Sequence, residues 1–501
     1  MRKIYLLLSL VVFISMVGCK DSATPVSLPD EEETAVAATK PEPHTIGLEW
    51  NSKAPLNPYD TNDEKNLYLS RLIYDSLFII NKDYQPVNLL AKECLTGDNI
   101  KYAITLKDNV YFHSGKKLTS EDLLYTINYI LSNQNSIYYE RLKNIDSVEI
   151  TDELSLIINL KSPDAFFTSM LDFPVIKKNM SKKDYDGTGR YRFKDNKLEY
   201  NYEYHNKVDP LVTEISLIDT SGDVSVLNEF ESGNIKVSEL KGELAYNLNL
   251  EKKVAGSIVT NDLIYLGINN SRRYLSNHNV RKAISYAINR VEDCDGFVGS
   301  KPYVTYSPIN PKWYLFDKEA VLGEYSIELA KKHLRDAGLK QNGDKPIITL
   351  NILVNSDNYD KVGLAERIAV DLKKIGIELS INKQPWNDYL NILSSGNFDL
   401  YIGEIRIKND MDLSSLLYSS GKLNYGRYSN LETDNYINSL KNIPDADKQK
   451  VISEFIKNLQ EEMPIIPLYF NVKDFVVKKD SEFKLDSTIS DIFNGIETAR
   501  K

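Results

Sequence analysis

Apolar residues along this chain recur in two rhythms. In "KYAITLKDNVYF" (101–112), Tyr102, Ile104 and Leu106 fall at every second position, the spacing that turns one face of a strand toward a core, and Ser114 with Gly115 then marks a turn. The following "LTSEDLLYTINYIL" opens with Thr119 and Asp122 at capping-box spacing, which predicts a helix from about Ser120. The later half is more regular: "ITLNILVN" (348–355) reads as a buried strand, and "GLAERIAVDLKKIGIELSI" (363–381) as a helix closed by Gly376 and followed by another strand. Leu364, Ile368, Leu372 and Ile375 share one face of that helix. "SIELAKKHLRDAGL" (326–339) is a further helix, with Ser326 at its start and Gly338 at its end. Strand, helix, strand of this length predicts a right-handed crossover onto a parallel sheet, so the fold class is α/β.

The N-terminus breaks both rhythms. Arg2 and Lys3 precede an uncharged apolar stretch (4–17), the layout of a secretory signal and too short for the ~20 residues of a membrane span. Its end, "MVGC", resembles the bacterial lipobox, in which Cys19 would be joined to diacylglycerol and become the new N-terminus; the other reading is an ordinary cleaved signal with an incidental cysteine. Two acyl chains on one thiol anchor a domain firmly, since each buried methylene contributes ~0.8 kcal/mol. Residues 20–43 carry four prolines and the acids Glu31, Glu32 and Glu33, with too little apolar content to offset the entropy of ordering. They read as a tether reaching ~27 Å on average.

A chain of 501 residues with 42% apolar content has room for about three domains and ordinary packed cores. Its formal net charge is −10, and loss of Arg2 and Lys3 with the signal makes it −12. That sign argues against nucleic acid or anionic lipid as a partner, both of which reward Lys and Arg. Cys94 and Cys294 lie far apart in sequence and are expected to be buried and unpaired, because a large domain needs no such staple.

A search for catalytic chemistry by spacing finds none. The five histidines are isolated, no Cys-x-x-Cys or His-x-x-x-His pair suggests a metal site, and "GTGR" (187–190) never completes a G-x-G-x-x-G loop. No G-x-S-x-G elbow occurs. The chain is therefore read as a non-enzyme without cofactor or metal.

Several stretches together resemble the family 5 extracellular solute-binding proteins, the peptide-, dipeptide- and nickel-binding components of bacterial ABC importers. "IYDSLF" (73–78) and "YAITLKDNVYFHSGKKLTSEDLLYTI" (102–127) are similar to early segments of that family, with Ser114 where Asp is usual. "GTGRYRF" stands where the family has a Gly-Thr-Gly-Pro-Tyr turn, Arg190 replacing the proline. "YLGINNSRRYLSNHNVRKAISYAINR" (265–290) resembles its hinge strand and the next helix, whose face of Val280, Ala283, Ile284, Ala287 and Ile288 is also explained by packing alone. "AKKHLRDAGL", "LKKIGIELSINKQPWNDYLNILSSGNFDL" and "MPIIPLYF" (463–470) carry the likeness toward the C-terminus.

The resemblance implies a two-lobe, periplasmic-binding-protein-like fold of class II type, with an extra subdomain inserted in lobe I. Lobe I is expected at 44–58, 187–262 and 471–501, the inserted subdomain at 59–186 and lobe II at 263–470, after a signal (1–18) and a lipidated tether (19–43). It implies capture of an oligopeptide between hinged lobes and delivery to permease subunits, by a monomer held at the cell membrane through its lipid alone, facing the outside or a periplasm. A receptor for another solute such as a nickel chelate or sugar, a sensor lipoprotein and an anchored hydrolase are the alternatives. In peptide-binding relatives a Trp and an Asp follow "FDL"; here the segment is "YIGEIRIKNDMDLSSLLYSSGKLNYGRYSN" (401–430), without the tryptophan. Its candidates are Asp410 and Asp412, with Glu404 and Arg406 on the preceding strand, a pair that either clamps a ligand carboxylate or neutralises itself. Trp50, Trp386, Tyr389, Tyr425 and Tyr428 are the aromatic candidates; Trp386 and Tyr389 equally suit packing within lobe II.

Overall fold

Alternation along the longest strand, Lys252–Ile268, organises half of the molecule. Leu263 and Tyr265 point into one core while Ile264, Leu266 and Ile268 point into another, so this end of the strand is buried on both faces. The computed structural model describes residues 43–180, 184–294, 297, 299–321, 323–340 and 345–500; Cys19 and the tether as far as residue 42 lie outside the described residues. In it, Lys252–Ile268 sits between Ile465–Lys478 and Leu400–Arg406, antiparallel to both, and Ile348–Asn355 and Ile377–Gln384 extend the sheet in parallel beyond Leu400–Arg406.

The expected crossover is present. Strand Ile348–Asn355 leads into helix Tyr359–Lys373, whose Asn358 side chain accepts the Lys361 N–H, and the chain returns as Ile377–Gln384 with Ile348 beside Ile377. Gly376 ends the crossover with φ +81°, a conformation that suits glycine.

A second body is built on two further sheets. His44–Trp50 pairs in parallel with Val212–Asp219, to which Lys197–Tyr200 and Tyr191–Lys194 are added antiparallel. An all-antiparallel sheet runs Ala91–Leu95, Lys101–Leu106, Ser155–Leu160, Ile145–Asp152. Tyr102, Ile104 and Leu106 are the buried face of their strand, as their spacing predicts. Helix Ser120–Ser132 follows, its Asp122 carboxylate accepting both the N–H and the hydroxyl of Thr119, at 3.0 and 2.9 Å. Both sheets feed one core, which joins Leu48 and Ile215 to Ile104, Leu123 and Ile158 through Leu69 and Leu72 of helix Glu64–Ile73.

The "GTGR" turn closes tightly on that helix. A side chain at Gly187 would stand 1.9 Å from the Ile73 carbonyl oxygen, and one at Gly189 would stand 2.5 Å from the Ile73 carbonyl carbon. Only glycine fits at either point. The next residue, Arg190, is buried between Asp491 (2.8 Å) and Glu497 (3.0 Å) and donates to the Phe493 carbonyl, tying the C-terminal segment to this lobe.

The two bodies are joined by the strands Lys252–Ile268 and Ile465–Lys478. Pairing runs from Lys252 opposite Lys478 to Val259 opposite Val472, and resumes with Leu263 opposite Phe470. Thr260, Asn261 and Asp262 thus stand against Asn471 alone, a bulge at the crossing from one lobe to the other. This is a two-lobe α/β fold with a hinge of two strands.

Candidate ligand-binding cleft

The bulge presents polar side chains where a regular strand would bury apolar ones. Asn310 donates to the Thr260 carbonyl (3.2 Å) and the Asn261 side chain (2.9 Å), Asn261 donates to Asn409 (3.1 Å), and the Ile407 N–H reaches the Asn261 carbonyl (2.9 Å). Asp262 accepts a two-pronged bond from Arg406, at 2.6 Å from Nε and 3.1 Å from Nη2. Its carboxylate is buried while the arginine side chain remains 79% exposed, so the guanidinium is aimed at open space from a fixed base. Hydrogen bonding to Asp262 holds the Arg406 proton more firmly than usual, aided by the charges of Glu64 and Glu404.

Lobe II meets this point with the carboxyl ends of its parallel strands, the edge at which open α/β sheets receive ligands. Asn355, Gln384 and Arg406 end those strands. Just beyond them, Lys361 pairs with Glu404 (2.5 Å), which also accepts from Asn471 (3.4 Å), and the Trp386 N–H is held by Asp357 (3.1 Å). The Trp386 ring lies half exposed, stacked on Tyr389 with centroids 5.7 Å apart and planes 14° from parallel. Tyr389 itself is buried, its hydroxyl donating to the Ile402 carbonyl (2.8 Å).

Lobe I answers with a lattice of ion pairs. Glu64, in the first turn of its helix, accepts from Lys241 (2.7 Å), Lys473 and the Tyr68 hydroxyl (2.8 Å). Burial alone would raise the Glu64 carboxyl, but the hydrogen bonds from Lys241 and Lys473 overcome it and bring it down to about 2. Lys241 also pairs with Glu239 (2.7 Å), and Lys65 with Glu49 (3.0 Å). Lys473, two residues past the bulge partner Asn471 on the second joining strand, donates to Glu64 and to the Tyr68 hydroxyl (2.6 Å), which sets this lattice beside the hinge.

The remaining candidates fall into other surroundings. Asp410 and Asp412 share Lys408, at 3.7 and 3.5 Å, in the loop after Leu400–Arg406. Tyr428 is buried with its hydroxyl 2.8 Å from that of Thr433, and Tyr425 packs against the lobe II core. Trp50 ends its strand with its ring edge-on to Phe193 at 6.3 Å. Glu404, Arg406 and Trp386 are thus gathered at the cleft edge of lobe II, whereas Tyr425 and Tyr428 are turned into its interior. Sequence reading misses Glu64, Tyr68, Lys241, Asp262, Lys361 and Lys473. No local pattern marks them, because Glu64 and Lys473, for example, meet across 409 residues of chain.

Residues 85–426 match the model of the bacterial extracellular solute-binding proteins, family 5, and the chain belongs to that family. It is 25% identical over 461 residues to the oligopeptide-binding protein AppA of Bacillus subtilis, covering 83% of each chain. Its fold is similar to that of the murein tripeptide-binding protein MppA in an unliganded open form, with a TM-score of 0.75, 18% identity and coverage of 88% and 93%. It is also similar to the B. subtilis AppA structure in complex with a nonapeptide, with a TM-score of 0.56, 20% identity and coverage of 88% and 96%.

Proposed function

We propose that this protein is the solute-binding component of an ABC importer, which captures an oligopeptide between its lobes and hands it unaltered to permease subunits. The observation that carries this reading is the pairing of Arg406, set on buried Asp262, with the Glu64 lattice across a two-strand hinge. A zwitterionic chain meets the Arg406 cation on one wall and a lattice of both signs, Glu64 and Glu239 with Lys241 and Lys473, on the other. Trp386, braced by Tyr389, offers an apolar face for side chains of varied shape. Closure desolvates the ligand, and its contacts with both walls shift the open and closed populations that a permease senses. No bond need be broken, so the reading requires neither catalyst nor cofactor.

In this reading lobe I comprises 44–58, 187–262 and 471–501, the inserted subdomain 59–186 and lobe II 263–470. Cys19 is lipidated and the 20–43 tether lets a monomer swivel above the membrane. Native mass spectrometry of the protein as purified, followed by calorimetric titration with a pool of free tetra- to nonapeptides, tests the ligand class. Co-purified peptides and heat from the pool are expected; a non-peptide solute in the cleft together with a silent titration would refute it. For the anchor, Cys19→Ser is expected to release the protein into the medium and to abolish incorporation of a labelled fatty acid.

A further inference from the structure

The lobe I wall of the cleft is recessed beside its ion pairs. Next to the Glu64 lattice lies a cavity of about 30 Å³ with an apolar floor of Val237, Phe475, Ile492 and Phe493, all buried, and with Tyr68 as a further wall. The Tyr68 ring stands edge-on to Phe475, centroids 5.9 Å apart and planes at 83°, and under the Lys473 ammonium at 5.4 Å. Its hydroxyl donates to Glu64 (2.8 Å) and accepts from Lys473 (2.6 Å). One side chain is thus both a wall of the cavity and a member of the cleft lattice. The floor is fixed from behind: the Phe493 carbonyl accepts from Arg190 (2.9 Å) and its N–H donates to Asp491 (3.0 Å), while Glu239 pairs opposite Phe475 at the sheet edge.

The charged residues that line the cavity are more exposed than its floor and form its rim, and each already has a partner. Lys65 pairs with Glu49 (3.0 Å) and donates to the Thr220 hydroxyl (2.7 Å), and the other oxygen of Glu49 accepts from the Ser238 hydroxyl. Lys241, half exposed, serves Glu239 (2.7 Å) and Glu64 (2.7 Å). A charged side chain pushed past this rim would set its charge over hydrocarbon with no partner to meet it. An apolar side chain gives up nothing there and leaves water.

We propose that this recess is a specificity pocket that takes one aliphatic side chain, of valine to leucine size, from a peptide lying in the cleft. The inference rests on the reading of the cleft as a peptide site and adds that one residue of the peptide is selected. Volume sets the size limit. A single water needs about 10–15 Å³ of such space, so a cavity of about 30 Å³ has room for a few methyl-sized groups but not for an aromatic ring. Each methylene buried there strengthens binding about fourfold, so two or three amount to about ten- to fiftyfold over glycine.

The test uses the secreted chain and a set of pentapeptides, glycine throughout except for one Leu, Phe, Lys or Glu placed at each position in turn, with Kd measured by calorimetric titration. At one position leucine is expected to bind about ten- to fiftyfold tighter than glycine, and Phe, Lys and Glu there to fall short of leucine. Val237→Phe, which fills the recess, is expected to bring the leucine peptide down to the affinity of pentaglycine for the same variant. Phe475→Leu, which widens it, is expected to move the preference at that position from leucine to phenylalanine. Peptides that bind with no position favouring leucine, or a leucine preference that survives in both variants, would overturn the pocket and leave capture standing. A chain that binds none of the peptides but takes up a non-peptide solute would overturn capture, and the pocket with it.

Discussion

Arg190 stands where the family's turn carries proline, and its surroundings explain what the exchange does. Its guanidinium joins Asp491 and Glu497 in the interior, so the C-terminal segment is fastened by charge rather than by a rigid ring. Removing one member of such a buried group strands the others without a partner. Arg190→Met is expected to cost about 3–5 kcal/mol, read as a lower urea midpoint. Ser114 is the other departure, and the carboxylate missing there is supplied from elsewhere in the chain: Asp186 accepts the Ser114 N–H (2.9 Å) and pairs with Lys177. Glu64 gives a prediction in pH. Its carboxyl is held near 2 in the folded protein, below the ordinary ~4.3, so its stabilising contribution is complete above that ordinary value and disappears as pH falls toward 2. The stability difference between wild type and Glu64→Gln should accordingly shrink across that acidic range in pH-dependent denaturation. It should be modest throughout, because the side chain is 43% exposed and solvent screens its pairs.

Secondary elements whose stability is decided locally are legible in the sequence alone. The capping box of Ser120–Ser132 is an example, and Asp122 does more than cap, since its second oxygen accepts the Lys178 N–H (2.8 Å). Asp122→Ala should therefore cost about 2 kcal/mol, the upper end of the capping range, when chemical denaturation is compared with wild type. The strand Ile348–Asn355 and the helix after it are equally readable, because a period of two and then 3.6 is written in the side chains themselves. The hinge bulge is not. Nothing in "VTNDL" announces that three residues stand against one, because register belongs to the pair of strands and its partner lies some 200 residues downstream. The cleft is partly legible for the same reason: Glu404 and Arg406 share a strand and can be found together, while Asp262, Glu64 and Lys473 come from strands and helices that meet only in the fold.

At the scale of the whole molecule, affinity depends on how the closed state is held as well as on the cleft walls, because a ligand seen by both lobes is released only when they part. Asn409 is placed to control that step. It donates to Asp172 across the lobes and accepts from Asn261 at the bulge, so one side chain of lobe II ties the hinge to the buried Asp172 carboxylate. Asp172 is buried, its Oδ1 engaged by Arg141, and its Oδ2 accepts from both Ser490 and Asn409, which makes it a rigid acceptor. A hydrogen bond to such a carboxylate contributes roughly 1.5–3 kcal/mol. Asn409→Ala removes this link between the lobes and should speed dissociation of a bound peptide on the order of tenfold, with association and unfolding midpoints little changed. Asn409→Asp, which sets a carboxylate against Asp172, should be faster still and should recover at acid pH as the new pair takes up a proton. Stopped-flow displacement of a fluorescent peptide gives both rates. If the two variants released peptide at the wild-type rate, the contact between Asn409 and Asp172 would have no part in holding the lobes together.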